Sequence, residues 1–195
     1  MTATSSSTTS GSSVQPDTAV WPFAASSTRY SDPVKAATGF AVDYLGFVNP
    51  VVGAFMQGDS RSGEVAVKAS GTGPTTTVIV RQLGPGQTWW VLGASSPNLD
   101  LQSPAVLASI VSPVTLSGRS TAFEATVNIE IRQDGTTTPL ATDIVMGGAN
   151  GQMGPFSKSV SFVKPTATRG AVILKTLSAK DGNIAEASVI RVQLS

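Results

Sequence analysis

The chain contains no cysteine and no histidine. Those two absences together remove thiolate nucleophiles, Cys/His metal sites and imidazole bases. A Ser-His-Asp triad is excluded, while Ser-Lys, Asp/Glu and carboxylate-metal chemistry stay open. No disulfide framework exists, and the compartment is left open, because a thiol-free chain can reside on either side of a membrane. Charge is also scarce. Charged residues make up 13% of the chain and the net charge is +1, so no strong field draws nucleic acid or anionic lipid. No apolar run approaches the ~18 residues that span a bilayer.

The 195 residues, 41% of them hydrophobic, suit one large or two small domains, each able to bury a core. Residues 1–16 hold the segment TATSSSTTSGSS. It is too polar to offset its ordering entropy and reads as a disordered tail.

Residues 17–102 read as an α+β domain with one main helix on an antiparallel sheet. Trp21-Pro22-Phe23 is expected to pack onto its core. Ser31 or Asp32 caps a helix that Pro33 opens. Val34, Ala37, Ala41, Tyr44, Leu45 and Val48 form its apolar face, and Pro50 ends it. Val51 to Phe55 reads as a further helical turn or loop. After the polar turn Gly58–Gly63, strands are expected at 64–69, 75–83, 88–94 and 98–101, with Gly/Pro turns between the first three. Trp89 and Trp90 point to opposite faces. One belongs to the helix–sheet core. The other lies on the outer face as a ligand platform, or packs against the Trp21-Pro22-Phe23 segment or, more plainly, the second domain.

Ser95–Pro104, with two Ser-Pro steps, reads as the boundary. Residues 103–195 read as an all-β immunoglobulin-like sandwich of about seven strands. Its central strand runs from Phe123 to Arg132. Val127, Ile129 and Ile131 alternate with Asn128, Glu130 and Arg132, one buried and one wet face, before an Asp134-Gly135 hairpin turn. Phe123, Phe156 and Phe162 are assigned to its core.

An ordered set of short motifs runs through this half. Ser112-Pro113-Val114 precedes Leu116-Ser117-Gly118, and Ala122-Phe123-Glu124-Ala125 precedes the Asp134-Gly135 turn. Gly154-Pro155-Phe156-Ser157 and Ser178-Ala179-Lys180-Asp181-Gly182 each precede a strand. In this order, over residues 105–195, they resemble the immunoglobulin-like domain of bacterial spore germination proteins. The resemblance implies a secreted or lipid-anchored envelope protein, of a kind often met in non-spore-forming actinobacteria. It brings no catalytic residues with it. The Ser/Thr tail is similar to the spacer behind the lipid-modified Cys of bacterial lipoproteins, which implies a precursor with a signal peptide and a lipidated Cys.

Candidate chemistry is sparse. Asp59-Ser60-Arg61 pairs a carboxylate with a guanidinium suited to a polar ligand, though Gly58 and Gly63 describe a turn equally well. Glu124 and Glu130 share a face of a regular strand but stand ~20 Å apart, too far for a glycosidase pair. Glu130 is expected to pair with a cross-strand Lys or Arg. Ser157-Lys158-Ser159 and Ser178-Ala179-Lys180 lack the S-x-x-K spacing of penicillin-recognising enzymes. Gly71-Thr72-Gly73 and Gly84-Pro85-Gly86 sit between strands rather than before a helix. No acidic spacing matches a calcium loop.

These observations support three expectations. The first is a non-catalytic envelope module, extracytoplasmic and lipid-anchored. It binds an envelope protein or cell-wall polymer, needs no cofactor or metal, binds no nucleic acid, and meets the membrane only through its anchor. The second is a small-molecule carrier or enzyme with a helix–sheet pocket lined by Tyr44, Arg81 and Trp89 or Trp90, with Asp59 and Arg61 as further ligand-binding candidates. The third is a structural spacer.

Overall fold

Asp32 stands in extended backbone just before Pro33, and its carboxylate accepts the Lys35 N–H at 2.8 Å. This cap starts α1 (Pro33–Gly39) in the computed structural model, which describes residues 16–195. The tail assigned to residues 1–16 lies outside the described part, Pro16 apart. The helix then widens into a π turn, Phe40–Leu45, and stops at Gly46, whose φ of 93° a side-chain-bearing residue adopts only with strain. Ala36, Ala37, Phe40, Ala41, Tyr44 and Leu45 form its buried face, while Val48 is exposed. Asp32→Ala should cost about 1 kcal/mol, read as a shift of the denaturation midpoint.

Thirteen strands follow, in chain order β1 (Val51–Asp59), β2 (Ser62–Lys68), β3 (Thr76–Leu83), β4 (Thr88–Ser95), β5 (Leu99–Ser103), β6 (Ser109–Ile110), β7 (Val114–Ala122), β8 (Thr126–Gln133), β9 (Pro139–Met146), β10 (Gly148–Ala149), β11 (Gly154–Val160), β12 (Arg169–Leu177) and β13 (Ile184–Leu194). Val51 to Phe55 is thus strand, not helix or loop. β1 and β2 form an antiparallel hairpin closed at Ser60-Arg61, and in β2 Val65 and Val67 alternate with Glu64, Ala66 and Lys68, which puts the valines inside.

The α+β half and the sandwich are both present, joined by one sheet. β1 to β4 continue into β13, β12, β8 and β9 in that order, with β6 beside β13. β5 hydrogen-bonds to β7 in the second sheet, which also holds β10 and β11. At the seam between β4 and β13, Ala94 pairs with Val189. A Cβ on Gly93 would lie 2.5 Å from the Val189 carbonyl oxygen, so glycine is what lets the strands meet. Side chains extend the seam. Thr76 Oγ1 accepts the Ala187 N–H at 3.0 Å, and Ser188 Oγ accepts the Ser96 N–H at 2.9 Å.

β12 and β13 are consequently buried on both faces. Val172, Leu174, Val192 and Leu194 face the sandwich core with Val127, Ile129, Ile131, Phe156 and Phe162. Ala171, Ile173, Ala187 and Val189 face the other way, into the core beneath α1 with Val65, Val67, Val78, Val80 and Phe40. The expected wet face of β8 is therefore covered in part, and Glu130 and Arg132 are buried. Phe123 is a second correction. It begins no strand and enters no core. Phe123–Ala125 is a tight turn, with Glu124 at φ 56° and Ala125 at φ 61°.

The leading segment closes the free edge of β4. Val91 exchanges backbone hydrogen bonds with Trp21, and the Trp89 N–H reaches the Tyr30 carbonyl at 2.8 Å. Trp21 and Phe23 pack edge-on at 5.3 Å and both rings meet Tyr44, as anticipated for a core anchor.

Candidate functional site

The residues singled out by sequence fall into three places. Tyr44 is buried under α1, stacked on Phe40 at 5.3 Å, and burial pushes its phenol well above its ordinary value. Trp89 shares that core, edge-on to Phe55 at 5.1 Å. Trp90 points through the opposite face. It is buried against Ala19 and Leu83, Arg29 lies 4.8 Å above its ring, and its indole N–H reaches Thr88 Oγ1 at 2.9 Å. The leading segment thus covers the ring that an exposed platform would need.

Asp59, Arg61 and Arg81 do come together, at the turn between β1 and β2. Asp59 accepts the Arg61 N–H at 2.7 Å, an Asx turn, and Arg81 stands opposite Ser62 on β3. The Arg61 N–H bond first, and a hydrogen bond from Ser62 second, hold the Asp59 carboxyl below its usual range. A shallow depression of about 350 Å³ beside this turn is lined by Met56, Gln57, Glu64 and Ile79.

Two carboxylates are buried among the described residues, and their surroundings differ. Glu130, on β8, meets Lys175 of β12 and the guanidinium of Arg132, a neighbour two residues on along the same face. Arg132 also donates to the Tyr44 carbonyl and lies 5.0 Å from the Tyr44 ring centre. Burial pushes Glu130 upward, but its hydrogen bond to Lys175 and the charge of Arg132 outweigh that and leave it lowered. This network ties the helical unit to the sandwich. The cross-strand cation expected for Glu130 is Lys175. Glu124, in its left-handed turn, is off the strand altogether.

Glu186, on β13, has no such cations. It accepts from the Ser96 hydroxyl, from the Asn98 amide at 3.1 Å and from the Thr176 hydroxyl at 3.3 Å. Burial raises its carboxyl pKa, and these neutral donors only partly oppose the rise. The sign for stability follows. A native carboxyl raised above its unfolded value stabilises the fold below the unfolded pKa, and that contribution is lost as pH rises through the native value. Glu186→Gln should therefore flatten the decline in melting temperature between mildly acid and neutral pH, and an unchanged profile would remove Glu186 as its source.

Residue Glu186 is among those lining the largest cleft described, about 720 Å³, while its carboxylate is turned to Ser96, Asn98 and Thr176. The cleft opens where the two halves meet, between the Ser70–Pro74 turn on one side and the Thr176–Glu186 hairpin on the other. Val48, Ala69, Ala122 and Ile184 give it apolar walls, and Lys180 and Asp181 sit at the hairpin tip. Phe123 stands at its rim with 66% of its surface exposed. Two successive non-glycine residues in the left-handed region hold the ring there, each at a cost on the order of 1–3 kcal/mol.

Sequence reading missed this site because its parts come from four separate stretches. Phe123 looked like the first residue of a strand. Glu186 lies between Ala185 and Ala187 as the one acid of β13, and a lone acid flanked by alanines was the available signal. The remaining candidates are placed plainly. Lys158 pairs with Asp143 at 3.1 Å, and Asp181 caps its own hairpin by accepting the Asn183 N–H at 3.1 Å. Among the described residues no group of three acidic side chains is placed to hold a metal ion, and no helix is long and apolar enough to cross a membrane.

No curated protein and no solved structure matches the chain. A family model does, and it covers most of the sandwich, β5 included. Residues 98–183 match the immunoglobulin-like domain of bacterial spore germination, the family that the ordered motifs from Ser112 to Gly182 resemble.

Proposed function

We propose that this protein is a non-catalytic interaction module of the bacterial cell envelope, tethered as a lipoprotein and binding an envelope protein or wall polymer outside the membrane. The match of residues 98–183 to an immunoglobulin-like domain carries the reading. The filled space beneath α1 supports it over a carrier or enzyme. Phe40, Tyr44, Trp89 and Val91 occupy the volume that a helix–sheet pocket would need. The cleft at the junction, open and rimmed by an exposed Phe, is the face offered to the partner.

The test is co-sedimentation of the full chain with wall and membrane fractions of the native cell. Saturable retention on one fraction is expected, followed by crosslinking to identify what was bound. Retention on neither overturns the reading. Tethering is tested on the native precursor by metabolic labelling with a fatty acid, where no incorporation would leave a soluble module.

A further inference from the structure

Beside the junction cleft, several large apolar side chains are left exposed on one face. Register sets Met146 and Ile144 of β9 opposite Thr126 and Asn128 of β8, and Lys175 of β12 opposite Asn128 on its other side. Ile144 and Met146 therefore share a sheet face with Lys175 and, two residues on, with Leu177. Phe123 and Leu177 line one depression of about 440 Å³ with Thr126 and Asn128, and both also line the junction cleft with Val48. Phe123 is 66% exposed, Met146 60%, Val48 54%, Ile144 50% and Leu177 42%. Together these side chains present about 500 Å² of apolar surface, the size at which an exposed patch is often functional. The two left-handed residues after Phe123 hold its ring out of either core, and such strain collects at binding surfaces.

The charges on and around this face say what covers it. Glu130 is already matched by Lys175 and Arg132, so the face itself offers nothing to a strongly charged partner. At the rim stand Glu124, in the turn beside Phe123, and Lys180, in the hairpin between β12 and β13. Neither forms a salt bridge with another described residue. An apolar face with one free acid and one free base at its rim is complementary to itself. A twofold axis brings Glu124 of each copy to Lys180 of the other while the apolar surfaces close together. At a net charge of +1 two copies meet no strong repulsion. The apolar patch, with Thr126, Asn128 and Thr142 between its members, approaches the ~800 Å² that each partner gives to a standard interface. We propose that this face is the interface of a twofold homodimer, with Phe123 and Leu177 at its centre and the Glu124–Lys180 pairs at its rim. The dimer rests on reading this end of the molecule as the binding face, and it names a second copy as the partner.

Sedimentation velocity of the full chain, from micromolar to millimolar concentration, tests it. A reversible species of twice 19.9 kDa is expected. Phe123→Asp, at an exposed position, should weaken association about a hundredfold, since it removes an anchor twice per dimer. Glu124→Lys and Lys180→Glu should each weaken it about tenfold by setting like charges together. The two changes combined should restore it to within about threefold, and this swap decides the matter if Phe123→Asp fails to fold. Val111→Asp is the control. Val111 is 59% exposed, next to Ile110, which pairs with Leu194 at the far end of β13, and its replacement should leave association unchanged. A monomer at every concentration, a dimer indifferent to a folded Phe123→Asp, or a charge swap no better than its single variants overturns the proposal. A monomer that is retained on an envelope fraction, and loses that retention in Phe123→Asp, gives the face to another envelope component and removes the dimer alone. A dimer without retention on either fraction removes the envelope reading alone.

Discussion

Arg132→Ala should lower the free energy of unfolding by about 3–5 kcal/mol, the usual cost of breaking a buried ion network from one side. The substitution leaves the Tyr44 carbonyl without its donor, strips the Tyr44 ring of the guanidinium 5.0 Å away, and leaves Glu130 to Lys175 alone. Denaturant unfolding with an unchanged slope would read the loss directly. Arg132→Lys, which keeps the charge and loses the planar fork, should fall between. A loss below about 1 kcal/mol would mean the network behaves like a surface pair. The pH dependence has the opposite sign to that of Glu186. Glu130 is held below its ordinary value, so its contribution is present above the unfolded carboxylate pKa and disappears as pH falls through the native one. Arg132→Ala should therefore flatten the acid side of the stability profile.

A second large effect is expected from cutting the chain. Expressed separately, residues 16–97 and 98–195 should fail to fold, while the intact protein should unfold in one cooperative transition. The core beneath α1 includes Ile173, Ile184 and Val189, all supplied by the second half. Burying these three alone contributes on the order of 5–9 kcal/mol, comparable to the 5–15 kcal/mol net stability of an ordinary domain. The converse also holds for the sandwich, whose β12 and β13 would expose Ala171, Ile173, Ala187 and Val189 to water. Calorimetry of the intact chain checks this, and two separable transitions, or a well-folded 98–195 fragment, would sink it.

What could be read in advance was local. Alternation placed Val127, Ile129 and Ile131 inside, Asp32 and Pro33 located the helix start, and Trp21-Pro22-Phe23 announced a core anchor. The motifs of the second half pointed to the family whose model matches residues 98–183. What escaped depends on what covers a face, which periodicity does not report. Glu130 and Arg132 sit at polar positions of a regular strand and are buried because Arg132 meets Tyr44 of the helical unit and Glu130 lies between Arg132 and Lys175. The shared sheet left two signals nonetheless. Ala171-Val172-Ile173-Leu174 does not alternate, as befits a strand covered on both sides. Gly93-Ala94-Ser95-Ser96 is a run of small residues where a backbone must approach. Phe123 misled because an aromatic beside a strand normally belongs to it, and nothing in Glu124 or Ala125 announces a left-handed turn.

The seam between β4 and β13 also sets an order of events during synthesis. Residues near 76 and 94 find their partners at 187 and 189, roughly half the chain later. As the polypeptide leaves the ribosome from its N-terminus, α1 and β1 to β4 are complete long before the strand that finishes their core exists. That half waits with an unpaired β4 end and an open apolar floor. Closing a loop of this length is slow in comparison with hairpin formation. The nascent chain is thus most exposed to aggregation while its first half is already made, and β13 completes both halves at once.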